Sequence, residues 1–220
     1  MKVILSRVSH KGLTYVPVNE IQLSQISLTL AQKVLDSDWK PTWVVALWRG
    51  GVTLGILVQE MLKRHGVMTD HISIRTSSYQ SGVNGAQNSS VEIHAANYIT
   101  NNMKSTDRIL VVDDLQESGK TYIAIKEYFD QQAQVRGIGC PELRLAVGLR
   151  KLGKSTFDPD YHVVDVKGSD WIVLPHEVSD FVGVDRELMY SLFPYTCLIL
   201  NALETKEEVD IEVRPGSLEV

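Results

Sequence analysis

Only two of the 220 residues are cysteine, Cys140 and Cys197. That is too few for a disulfide framework, and the pair lacks the spacing of a zinc site, so a reducing compartment is expected and both read as ordinary buried thiols. Excess positive charge is missing too: 22 Lys plus Arg face 27 Asp plus Glu, a formal charge of -5. This balance argues against gripping nucleic acid or an anionic membrane by bulk electrostatics, and leaves small-molecule substrates and local basic pockets. No apolar run approaches the ~20 residues of a membrane span. The start, MKVILSRVSHKG, is basic but its apolar run is too short for a signal-peptide core. A soluble, cytoplasmic protein without nucleic-acid or membrane partners is expected. The six histidines show no H-E-x-x-H spacing, so His65, His71, His94 and His176 read as structural or exposed. There is no internal repeat and no low-complexity tract.

What is present is enough for a full core, with 44% apolar residues. Ile26, Leu30 and Val34 recur at four-residue spacing and predict a helix over residues 20–36. WVVAL (43–47) is a continuous apolar run, as in a strand covered on both faces. Arg49-Gly50-Gly51 follows, and then Leu54, Leu57, Val58, Met61 and Leu62 return to helical spacing. Further strands are expected at HISI (71–74), ILVV (109–112), LRLAVGL (143–149) and HVVDV (162–166), with a helix face at Ile125, Tyr128 and Phe129. Strands alternating with helices predict an α/β fold with an open, mostly parallel sheet flanked by helices. The polar stretch 77–90 reads either as a mobile loop over a site or as a pair of extended ribbons. Leu188, Tyr190, Leu192 and Phe193, with Phe181, are able to pack on a core, whereas the acidic tail after about 205 is expected to be peripheral.

The stretch VVDDLQESGKT (111–121) ends like a nucleotide-binding P-loop, but Asp114 stands where that loop requires its first glycine. A carboxylate there would repel the phosphate. The arrangement suits different chemistry. An Asp-Asp pair on a buried strand in isolation could cap a helix or face solvent; here it reaches the strand's C-terminal end, where open α/β sheets bind ligands. Neighbouring carboxylates accept hydrogen bonds from a vicinal diol. Beyond them Glu117-Ser118-Gly119-Lys120-Thr121 forms a turn that opens a helix, whose free N–H groups hold a phosphate dianion. A diol beside a phosphate means a ribose 5-phosphate.

A hydrophobic strand, Asp-Asp, three residues, Ser-Gly-Lys-Thr and a helix resembles the 5-phosphoribosyl 1-diphosphate (PRPP) motif of the type I phosphoribosyltransferases. The similarity extends to the 6-oxopurine branch, xanthine-guanine and hypoxanthine-guanine phosphoribosyltransferases, over roughly residues 40–177. It implies that family's fold, with a small hood, over residues 1–177, followed by a C-terminal extension over 178–220. Asp113, Asp114, Leu115, Gln116, Ser118, Gly119, Lys120 and Thr121 would bind the ribose phosphate. Arg49, Gly50 and Gly51 look like the pyrophosphate loop, with Arg49 contributing to catalysis; Lys104 or Arg75 could add charge. Ser78-Tyr79 matches the opening of the flexible catalytic loop. Lys151, just past its strand, would reach the purine's exocyclic oxygen, and Trp171 and Ile172 lie in the segment similar to the purine-stacking one. Magnesium would be held by Asp113, Asp114 and Glu177. At the position of the aspartate that handles the N7 proton this chain has Glu117, one methylene longer. The implied reaction moves the 5-phosphoribosyl group from PRPP to hypoxanthine, guanine or xanthine, in purine salvage. The alternative is a PRPP- or nucleotide-sensing regulator without turnover. Self-association as a dimer or tetramer is likewise implied by the resemblance alone.

Overall fold

The computed structural model describes residues 3–80, 89–177 and 186–205. Its centre is a six-stranded sheet in the order β5-β4-β3-β6-β7-β8. The strands are β3 (Trp43–Trp48), β4 (Asp70–Gln80), β5 (Ser89–His94), β6 (Arg108–Gln116), β7 (Glu142–Leu152) and β8 (Tyr161–Lys167). All neighbours are parallel except β4 and β5, which form an antiparallel edge ribbon.

The apolar runs are continuous because both faces of the strands are covered. Leu110 and Val112 of β6 join a core under α1 (Glu20–Asp36) and α2 (Gly50–Arg64), with Ile26, Leu30, Val34, Leu54, Val58 and Leu62. Ile109 and Val111 point the other way, toward Ile99 of α3 (Asn97–Asn102) and Ile125 and Phe129 of α4 (Lys120–Val135). Side-chain alternation along a strand produces the two cores. The start of α1 is fixed by a capping box: the Asn19 side chain accepts the Gln22 N–H at 2.8 Å, and the Gln22 side chain accepts the Asn19 N–H at 3.0 Å.

A second sheet of three strands, β1 (Val8–His10), β2 (Leu13–Pro17) and β9 (Trp171–Val173), forms the hood. Lys11 and Gly12, at φ 48° and 82°, make the two-residue turn between β1 and β2, the positive-φ geometry that suits a tight hairpin. β9 pairs with β2 in parallel, Val16 opposite Ile172. The extension continues as α5 (Arg186–Leu192) and α6 (Pro194–Thr205). Met189, Phe193 and Cys197 are buried there against Val173 of β9, with Tyr15 of β2 packed alongside.

Two expectations need correction, on Cys140 and on Lys151, and the ribbon alternative for 77–90 is met at its two ends. Cys140 is exposed, in the connection between α4 and β7, and only Cys197 is buried. β7 continues to Leu152, so Lys151 sits on the strand itself, opposite Val166 of β8. The stretch 77–90 enters and leaves as the paired ends of β4 and β5, while residues 81–88 and Phe181 lie outside the described residues. Among the described residues no helix is long and apolar enough to cross a membrane.

Candidate active site

The sheet changes direction between β3 and β6: β4 lies outward from β3 and β7 outward from β6. At such a switch point the C-terminal strand ends open a crevice for ligands. Three of the segments singled out from sequence meet there.

From β3 the chain enters the Arg49-Gly50-Gly51 turn, whose first peptide, Trp48-Arg49, is cis. The turn is pressed against β6. A Cβ on Gly51 would strike the Val112 carbonyl oxygen and come within 3.0 Å of the Asp113 Cα, and one on Gly50 would overlap the Asp114 carboxylate. Both glycines are buried while Arg49 is exposed, so the backbone packs inward and leaves the guanidinium to solvent. Arg75 is exposed and lies opposite Trp48 in register, one step from the turn. Lys104 is not near it. It precedes β6, its N–H bonded to the Asp107 carboxylate at 2.7 Å, at the end of the strand remote from Asp113.

β6 runs straight through the acid pair to Gln116, so the two carboxylates leave the strand in different directions. Asp113 lines a cavity of about 120 Å³ with Glu117, Ser118, Gly119, Thr121 and Tyr122. Asp114 turns toward Gly50 and His176. Burial, then the neighbouring Asp114 charge, pushes the Asp113 carboxyl well above its ordinary value of 3.8. Its Oδ1 accepts the Asp114 N–H at 3.1 Å. A ligand that meets both acids therefore straddles the strand end.

The loop beyond is braced from behind. Gly119 has φ 77°, which favours glycine, and a Cβ there would also collide with the Phe157 ring and Ser155 Oγ. The Gln116 amide nitrogen donates to Ser155 Oγ at 3.0 Å and to the Phe157 carbonyl at 3.3 Å, so that nitrogen is already engaged. α4 starts at Lys120 with no acidic residue in its first turn, so no side chain of that turn offsets the positive end of the helix dipole. Burial pushes the Tyr122 hydroxyl above its ordinary value of 10, and it donates to the Leu143 carbonyl at 3.0 Å.

Lys151 Nζ lies 3.3 Å from Glu117 Oε1, the lysine largely buried and the glutamate half exposed. The two residues expected to read one base are thus adjacent. Trp171 is 61% exposed, free to offer its ring face, whereas the Ile172 side chain is buried in the core beneath α1 and α2 and leaves only its main chain available. Ser78 and Tyr79 lie on β4 opposite Val91 and Ser90. Glu177 turns back on its own segment: its Oε2 accepts the Leu174 N–H at 3.0 Å.

One site residue was not anticipated. His176 Nε2 lies 3.3 Å from Asp114 Oδ2. No local pattern marks it, since its partner is remote in sequence; its only cue is its place within the purine-like segment, beside Glu177.

Residues 20–180 match the family model "phosphoribosyl transferase domain", well over half of the chain. The chain belongs to that family. This phosphoribosyltransferase is similar in fold to several solved structures at low identity. A purine phosphoribosyltransferase from Pyrococcus horikoshii superposes with TM-score 0.55 at 21% identity, covering 72% of this chain and 91% of that one. The Helicobacter pylori xanthine-guanine-hypoxanthine phosphoribosyltransferase gives 0.56 at 20%, covering 80% and 97%. A hypothetical protein from Neisseria gonorrhoeae with bound ppGpp gives 0.58 at 16%, covering 80% and 94%. No curated protein sequence matches the chain at a significant level.

Proposed function

We propose that this phosphoribosyltransferase moves the 5-phosphoribosyl group of PRPP onto a 6-oxopurine, namely hypoxanthine, guanine or xanthine, giving a purine nucleoside 5′-monophosphate and pyrophosphate. The observation that carries this reading is the Lys151–Glu117 pair at 3.3 Å, set beside the phosphate-binding loop. A donor and an acceptor so close together match the 6-oxygen and N7–H of a purine, which are neighbours roughly 3 Å apart on one edge of the base. Lys151 donates to the oxygen and Glu117 takes the N7 proton as N9 bonds to the anomeric carbon and the bond from that carbon to pyrophosphate breaks. An adenine amino group would leave the ammonium facing another donor, at a cost of about 1–3 kcal/mol.

The remaining groups serve the other parts of the substrates. Asp113 and Asp114 accept the ribose hydroxyls. The Ser118 and Thr121 hydroxyls, with the backbone of residues 115–121, hold the 5′-phosphate at the start of α4. Arg49 and its turn take the pyrophosphate, and Trp171 stacks on the base. Among the described residues no three His, Cys, Asp or Glu side chains converge as a preformed metal cage. The donor set nevertheless fits magnesium, which takes one or two carboxylates and draws its other oxygens from substrate phosphates and water. Asp113 and Asp114 would hold it, with Glu177 as a further donor. Bound there, it would supply charge neutralisation for the departing pyrophosphate.

Incubation with PRPP, magnesium and each purine in turn tests the proposal through the change in ultraviolet absorbance as nucleotide forms. Turnover with at least one 6-oxopurine and none with adenine is expected; adenine as the preferred base would refute the Lys151 assignment. A second reading, a nucleotide-sensing regulator, is favoured by one observation, the ppGpp held by the Neisseria gonorrhoeae neighbour. Tight binding of PRPP or ppGpp in calorimetry, without turnover of any base, would select it.

A further inference from the structure

His176 belongs to none of the motifs that mark the site, yet it is built into it. Its Nε2 is 3.3 Å from Asp114 Oδ2, and each of the two side chains is 17% exposed. The other carboxylate oxygen is already engaged, since Oδ1 accepts the Leu115 N–H at 2.7 Å. Gly50 closes the third side: a Cβ there would overlap Oδ2 and come within 2.8 Å of His176 Nε2. Three segments therefore meet at one oxygen atom, the turn after β3, the end of β6 and the residues following β9.

The ring has a cost that packing does not require. Its Nδ1 is buried with no hydrogen-bond partner among the described residues, and a polar atom in that state is unfavourable relative to its hydrated form. A leucine would fill comparable space without it. What the leucine would lack is Nε2 at the carboxylate.

We propose that His176 is a positioning residue for Asp114, holding Oδ2 at the turn so that the carboxylate meets the ribose end of PRPP in one fixed orientation. The inference rests on the PRPP reading given above. A carboxylate free to rotate about its side-chain bonds must be ordered when the sugar binds, so loss of the contact falls on PRPP affinity. The chemical step, at the anomeric carbon and at Glu117, is left alone. The purine segment is thereby tied to the sugar-binding strand through a side chain as well as through the fold.

The test compares His176→Leu, which keeps bulk, with His176→Gln, which keeps a donor of similar reach. PRPP affinity is measured by calorimetry, and KM and kcat in the base assay. His176→Leu is expected to weaken PRPP binding and raise its KM about tenfold, as for loss of one charged contact, with kcat within about threefold of wild type. His176→Gln should recover most of the affinity. Should the leucine variant not fold, His176→Asn, whose amide is too short to reach Oδ2, is expected to show the same tenfold loss. Wild-type PRPP affinity in His176→Leu or His176→Asn, or a fall in kcat with KM untouched, overturns the positioning role alone. A wild-type protein that binds no PRPP overturns this inference and the functional reading together.

Discussion

A methyl group at position 50 is the smallest perturbation that reaches the centre of the site. In Gly50→Ala the new Cβ overlaps Asp114 Oδ2 and sits 2.8 Å from His176 Nε2. The turn cannot retreat, because Gly51 behind it is packed on the Val112 carbonyl, so the carboxylate has to move. Overfilling a packed site typically costs about 1–3 kcal/mol. Alanine recovers up to about 1 kcal/mol over glycine at a helical position, and Gly50 is the first residue of α2. The net loss of stability is then about 1–2 kcal/mol. Gly137→Ala is the matched control. Its φ of 65° strains any side chain, but nothing lies within 4 Å of the new methyl group, so it loses about 1–2 kcal/mol by backbone strain alone, remote from the crevice. Urea denaturation should show similar destabilisation in the two variants. Calorimetry should show PRPP binding weakened at least about tenfold in Gly50→Ala only, the effect of losing one charged hydrogen bond. Equal PRPP affinity in both variants would refute the contact between the turn and the acid, and with it the placement of the ribose.

Glu117→Gln should lower kcat by about 100-fold, as for loss of a proton-transfer group, while PRPP affinity changes little; parallel losses in both would assign Glu117 to binding. Lys151→Met should raise the KM of the 6-oxopurine by about tenfold or more with PRPP KM unchanged, from loss of one charged hydrogen bond; an unchanged purine KM would remove the lysine from base recognition. A further prediction concerns pH. The Arg150 guanidinium bonds Asp165 at 2.8 Å and 3.0 Å and holds its carboxyl below the ordinary 3.8, so this contribution is present above pH 3.8 and is lost as pH falls through the folded-state value. His162 is shifted below its ordinary 6.5 by burial and then by Arg150; the unfolded chain takes up that proton first, so acidification from pH 6.5 also destabilises the fold. Denaturation followed from pH 7 to 3 should show a shallower decline in Arg150→Met, and an identical decline would count against the network.

The central strands β3, β6 and β7 could be read from sequence because each carries an apolar run buried on both faces, a pattern that needs no knowledge of partners. The strand ends were less legible. β7 carries Arg150 and Lys151 past its apolar run because Arg150 is paired with Asp165 and Asp158, a compensation visible only once β8 lies alongside. The hood could not be assembled by local periodicity, since β1 and β9 are three residues each and β9 finds its partner near the start of the chain. At the candidate site, the acid pair and the turn before α4 could be singled out because those residues are contiguous in sequence. The divergence of Asp113 and Asp114 follows from β6 continuing through them. His176 was read as structural or exposed because its contact with Asp114 comes from another segment.

Among the described residues β9 hydrogen-bonds as a strand to β2 alone, and the buried Asp170 just before it is bonded by Arg7 at 3.0 Å. On the proposed reading, the ledge on which a base would rest is therefore moulded by the β1–β2 hairpin, while the grip on the sugar and its ester would belong to the central layer. Trimming or reshaping residues 3–17 should change which nucleobase is accepted and spare capture of the activated pentose, so donor handling and acceptor choice can be altered independently in one chain.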